Sequence, residues 1–132
     1  MIGEECFIYV ICQDGKNCQT GPVKVGITKD PYSRIKSLQT GNHHRLSYAL
    51  KLTVPNKEMA AFIESAFHSI QQENRMIGEW FDIGVSEATQ IVAFYLEVAL
   101  TMAINDRNLL ASALERSGVS DFKKSILSGD AT

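Results

Sequence analysis

The sequence holds too little of several things to be most kinds of protein. Its three cysteines, Cys6, Cys12 and Cys18, are an odd number set six residues apart. They form no C-x-x-C pair and no matched second pair, which argues against a disulfide framework and against a zinc site. No secretory leader pattern precedes them, so they read as small thiols in a reducing cytoplasm. The longest apolar run, IVAFYLEVALTMAI, has 14 residues and contains Glu97. It is too short to span a bilayer and reads as a core helix, so no membrane partner is expected. The formal net charge is only −2, which excludes a globally basic nucleic-acid binder. Internal repeats and low-complexity linkers are absent as well.

What is present is the composition of a globular protein: 132 residues, 45% hydrophobic and 21% charged. That is enough chain for one domain with a real core. The charge is unevenly spread. Residues 1–54 hold seven Lys/Arg against four Asp/Glu, and residues 55–132 hold six against eleven. A basic first part hints at an anionic ligand there.

The pattern of elements is readable. CFIYVIC at 6–12 is apolar throughout and predicts a central strand covered on both faces. The turn chemistry of 13–22 predicts a hairpin into VKVGIT at 23–28, where Val23, Val25 and Ile27 share one face and Lys24, Gly26 and Thr28 the other. Asp30 and Pro31 start a helix that should run to about Thr40 and stop at Gly41. Residues 45–54 predict a third strand burying Leu46, Tyr48, Leu50, Leu52 and Val54 on one face. A second helix is expected over 57–75, with an apolar stripe of Met59, Ile63, Ala66 and Ile70 and with Glu64, His68 and Arg75 on another face. GEWFDI at 78–83 reads as an aromatic turn or short strand. Helices are then expected over 86–104 and about 106–116, with a partly helical tail over 119–132. The order implies an α+β fold: a small three-stranded antiparallel sheet flanked by helices, with additional C-terminal helices.

Four polar side chains in this scheme need an account: Tyr9 inside an apolar strand, Lys24, Arg34 and Glu64. Each alone is ordinary, since strand lysines and helical Glu/His pairs are usually just solvated. Together they have the chemistry of phosphodiester cleavage. A base takes a proton from water, cations meet the phosphate charge, and a carboxylate holds a divalent metal. Magnesium needs few protein ligands, because it keeps waters and takes a substrate phosphate.

The order of these residues resembles the GIY-YIG endonuclease superfamily, in particular its KIG-type branch of phage and prophage proteins. FIYVI at 7–11 is similar to the first signature and KVGIT at 24–28 to the second. RIKSLQTG, ESAFH and GEWFDI follow in order, and the resemblance covers about residues 5–84. It implies a nuclease domain over 1–84 and a helical extension, packed on or extending it, over 85–132. It implies a DNA endonuclease with one Mg²⁺ or Mn²⁺ on Glu64, Tyr9 as base or water-positioning group, and Lys24 and Arg34 at the scissile phosphate. His68 would support these, and Lys24, Arg34, His43 and Arg45 would contact nucleic acid. Phe7 replaces the first signature glycine and Lys24 a tyrosine. RNA stays open as a substrate. A homodimer through the 86–104 helix is a further expectation. The alternative reading is a nucleic-acid-binding or partner-binding module that does not cleave. The nuclease reading requires Tyr9, Lys24, Arg34 and Glu64 to converge on one cleft, and it fails if Lys24 and Glu64 lie on opposite faces of the sheet.

Overall fold

A computed structural model describes residues 5–14 and 19–116. Its elements run β1 (Cys6–Gln13), β2 (Val23–Thr28), α1 (Pro31–Gln39), β3 (Leu46–Val54), α2 (Lys57–Ile70), β4 (Trp80–Phe81) and α3 (Val85–Arg116), with a 3₁₀ turn over Gln72–Asn74. The strands form one antiparallel sheet in the order β3-β1-β2-β4. The α+β class is as expected, but the sheet has four strands. GEWFDI supplies the fourth: Trp80 pairs with Lys24 and Phe81 with Val23. The expected tail over 119–132 lies outside the described residues. No helix among those described is long and apolar enough to cross a membrane.

β1 is central because its side chains are apolar on both faces. Ile8 and Val10 point one way, Tyr9 and Ile11 the other, and all four are fully buried. The two faces are covered by different helices. Ile35 and Leu38 of α1 pack on Tyr9, Ile11 and Leu46. Phe67 of α2 meets Phe81 edge to face at 5.2 Å, over Val23 and its neighbours. Burying Ile63 and Phe67 is worth roughly 1.5–3 kcal/mol each, which anchors α2 on the sheet.

Four expectations are corrected. The apolar residues of β3 do not share one face. Val10 pairs with Leu50, but Ile11 pairs with Tyr48, so a bulge inserts one extra residue. Alternation flips there, sending Leu46 and Tyr48 to the Tyr9 face and leaving Leu50, Leu52 and Val54 on the other. The second helix ends at Ile70 rather than 75, and its buried stripe is Ala60, Ile63 and Phe67. Ile70 is 58% exposed. Arg75 is off the helix, in a bridge to Phe81. The two C-terminal helices are one, because nothing in 104–106 breaks the helical backbone. Finally, Cys6 is a free buried thiol but Cys12 is disulfide-bonded, which removes the thiol argument for a reducing compartment.

The chain divides into two compact units, Met1–Leu96 and Glu97–Thr132. In the first, α3 contributes buried Ala88 and Val92, and Tyr95 meets Phe62 edge to face at 6.3 Å.

Candidate functional site

Tyr9 and Gly26 are direct partners across β1 and β2, and Lys24 is two residues from Gly26 on the same face. A methyl group on Gly26 would lie 2.5 Å from the Tyr9 hydroxyl and 2.8 Å from Cζ. The space over Gly26 is thus filled by the phenol of Tyr9. Glycine is required because the ring lies across the neighbouring strand.

α1 brings Arg34 to that phenol. The helix starts where it should: Asp30 accepts from the Ser33 amide at 3.2 Å, and Pro31 occupies the first turn. Tyr48 donates to the carbonyl of Pro31 at 2.6 Å and meets the Tyr9 ring edge to face at 5.6 Å. One turn into α1, Arg34 donates from Nε to the Tyr9 hydroxyl at 3.2 Å. That is its one side-chain hydrogen bond among the described residues, so the Nη edge of the guanidinium is left for another acceptor. This edge is the fork that suits a phosphate.

Lys24 is 8% exposed. Its Nζ lies 3.8 Å from the Glu79 carboxylate and 5.9 Å from the centre of the Trp80 ring. Glu64 and His68 arrive from a different direction. They are on α2, which covers the opposite face of the sheet, yet they reach the same place around its edge. β4 pairs only with Val23 and Lys24, so the outer rim of β2 has no strand beyond that point. His68 fills it, donating from Nε2 to the carbonyl of Val25 at 2.9 Å. A carbonyl can only accept, so the Nε2 proton is fixed by this bond. Glu64, one turn earlier, is half-buried and makes no hydrogen bond or ion pair among the described residues. Its carboxylate feels the charges of His68, Glu79, Arg34 and Lys24.

The electrostatics follow from burial. Burial raises the Tyr9 pKa above its ordinary value, against the pull of the Arg34 hydrogen bond. Burial lowers that of Lys24, with Glu79 opposing. Burial also raises Glu64, with His68 opposing and Glu79 adding to the rise. Tyr48 is pushed up to about 12, again by burial. Arg34 is raised, chiefly by its bond to Tyr9.

Tyr9, Lys24, Arg34, Glu64 and His68 are therefore neighbours at the rim of β2. His43 and Arg45 are not part of this group. They are exposed in the loop before β3, where Asp14 donates its amide to the Arg45 carbonyl at 2.6 Å. That is the Gln13 end of β1, four residues or roughly 13 Å along the strand from Tyr9. His43 stacks on His44, whose Nδ1 is 3.0 Å from Asp14. Three members of the site carried no assigned role in the sequence. Tyr48 read as a core strand residue, and Glu79 and Trp80 read only as part of a motif.

The donor set fits a hard divalent ion. Two carboxylates, Glu64 and Glu79, offer oxygen at the rim, and no group of three or more His, Cys, Asp or Glu among the described residues could cage a metal. An ion held by one or two carboxylates, completed by water and substrate oxygens, is how Mg²⁺ is usually bound.

Comparison with known families decides the kinship. The T5orf172 domain is the family whose sequence model matches, over residues 6–96. The chain belongs to the T5orf172 domain family. This corrects the expected assignment to the GIY-YIG superfamily, which is not the family that matches. The T5orf172 match includes every residue of the rim and the first turns of α3. Membership points to a nuclease or nucleic-acid-related role. No curated protein and no solved structure matches the chain.

Proposed function

We propose that this T5orf172 domain is an endonuclease that hydrolyses phosphodiester bonds of DNA at the rim of β2, assisted by Mg²⁺ or Mn²⁺ held at Glu64. The observation that carries this reading is a pair of opposite charges at one rim, Arg34 and Glu64, that form no ion pair with each other. Arg34 spends Nε on Tyr9 and keeps its Nη edge, while Glu64 is half-buried without a partner.

The bound ion would supply a positive charge on a phosphoryl oxygen and ease departure of the leaving oxygen. The rest is the work of the chain. Arg34 grips non-bridging oxygens through Nη, and Lys24 adds a second cation from a rigid strand. Tyr9 accepts from Arg34 and, being buried, acts by orienting that guanidinium. Burial keeps that phenol protonated at neutral pH, so Tyr9 acts by holding Arg34 rather than as a base. Burial makes Lys24 hold its proton less firmly than an ordinary lysine, while the Glu79 carboxylate beside it works to keep it charged, the form in which it meets the phosphate. His68 holds the α2 backbone against Val25 and so keeps Glu64 at the rim.

The test is nicking of plasmid and branched DNA with Mg²⁺ or Mn²⁺ by wild type, Glu64→Ala and Arg34→Ala. Each variant should lose roughly 10²–10⁴-fold in rate. Wild-type rates in Glu64→Ala would reject the metal assignment. If no form cuts any substrate while DNA binding persists and weakens with salt, the chain is a binding module on the same scaffold.

A further inference from the structure

On the side of Trp80 toward the Gln13 end of the sheet lies a cleft of about 560 Å³ lined by Gln13, Pro22, Met76, Ile77 and Trp80. It is of the size that takes a small organic group. Its wall is built with care for an exposed apolar surface. Ile77 is 95% exposed and Met76 48% exposed, yet the turn that presents them is tied down. The Met76 amide donates to the Trp80 carbonyl at 2.6 Å, and Arg75 donates from Nε to the Gly78 carbonyl at 3.0 Å. Gly78 takes φ +74°, a conformation other residues resist, which lets the turn close behind Ile77. The turn thus holds Ile77 and Met76 in a fixed position at the mouth of the cleft.

Trp80 joins this cleft to the rim. It packs against the cluster of Tyr9, Ile11 and Leu46 on one side and lines the cleft on another. Lys24, its strand partner, holds Nζ near its ring. An occupant of the cleft stacked on Trp80 would therefore have Lys24 close by, at the same ring. The group that combines a flat apolar face with an adjoining negative charge is a nucleotide.

We propose that the cleft takes one unpaired nucleobase, stacked on Trp80 and edged by Ile77 and Met76, from the strand whose phosphate lies at Lys24 and Arg34. Within a duplex both faces of a base are covered by its neighbours, so the ligand is a single-stranded, branched or flipped-out position. This rests on the reading of the rim as a phosphate site, and it adds the kind of nucleic acid that the site selects.

Trp80 is the single tryptophan of the chain, so its emission reports on the cleft directly. The full chain, kept from cutting by EDTA, is titrated into 5′-labelled short oligothymidylate and into an abasic deoxyribose-phosphate oligomer of the same length. Anisotropy gives the affinities and Trp80 emission gives the stacking. The oligothymidylate should bind roughly 5- to 150-fold more tightly and should quench Trp80, while the abasic oligomer should not. Ile77→Ser, a change at a fully exposed tip, should narrow that preference without altering the unfolding transition. Equal affinities with unchanged emission would overturn the base site. If Arg34→Ala still weakened the abasic oligomer in that case, the phosphate reading would survive alone. No binding of either oligomer overturns both. Trp80 emission that changes with protein concentration alone, together with a dimer in sedimentation, would assign the cleft to a second copy of the chain and reject the proposal.

Discussion

Replacing Gly26 with alanine would place a methyl group 2.5 Å from the Tyr9 hydroxyl and 2.8 Å from its ring carbon Cζ. Tyr9 is fully buried and cannot swing aside cheaply. Gly26→Ala should therefore cost about 1–3 kcal/mol in a urea titration. In a Tyr9→Ala background the same change should cost far less, a coupling that a double-mutant cycle would measure. Glu64 makes a prediction of opposite sign. A carboxyl with a raised folded-state pKa binds its proton more tightly in the folded chain than in the unfolded one. Stability then falls as pH climbs from the ordinary carboxylate range through the raised value, and stays reduced above it. Glu64→Gln should melt at a higher temperature than wild type near neutral pH, and the difference should vanish below about pH 4. Added Mg²⁺ should raise the melting temperature of wild type and leave Glu64→Gln unmoved.

α1 has no fully buried residue, so its position depends on a few specific contacts. One is the Tyr48 hydroxyl on the Pro31 carbonyl. Tyr48→Phe should cost about 0.5–1.5 kcal/mol of stability and a larger factor in cleavage rate, since Arg34 sits one turn along the loosened helix. A stability loss with an unchanged rate would show that α1 is placed by Ile35 and Leu38 alone. The dependence on Tyr48 was not legible in the sequence. β3 shows a clean alternation from Leu46 to Val54, and that pattern puts Tyr48 in the same layer as Leu50. The bulge that separates them is a property of the pairing with β1, and no residue in β3 signals it. β1 and β2 were legible because burial on both faces, or on one, is written in their own side chains. The start of α1 was legible from Asp30 and Pro31. The end of α2 was not, because QQENR carries good helix formers and only the bridge from Arg75 to Phe81 turns the chain away. Tyr9, Lys24, Arg34 and Glu64 were found by their order along the chain. Glu79 and Trp80 were missed as site residues because a two-residue strand leaves no period to read.

The family match and the first compact unit both end at Leu96, in the middle of α3. A chain stopped at Leu96 should keep one cooperative unfolding transition and the Trp80 emission of the full protein. Loss of cooperativity would mean that residues 97–132 complete the core. The same two chains test pairing through α3. Phe94, Leu100 and Met102 are all exposed on it, and a full chain that sediments as a monomer would reject that pairing.

The shortness of β4 has a cost for solubility. A sheet edge with free amides and carbonyls is a template on which another chain can build a strand, and long flat edges are the usual route to aggregation. From Val25 onward β2 is such an edge, since β4 stops after two residues. A longer β4 would seal it but would also cover the rim where Lys24, Arg34 and Glu64 meet. The imidazole of His68 on the Val25 carbonyl is a compromise between these demands. It occupies one acceptor with a side chain from α2, so no incoming strand can take that bond, while no fourth strand covers the rim. His68 is in this sense a guard against self-assembly as much as a neighbour of Glu64. A leucine there would expose the chain to the hazard that its fourth strand is too short to prevent.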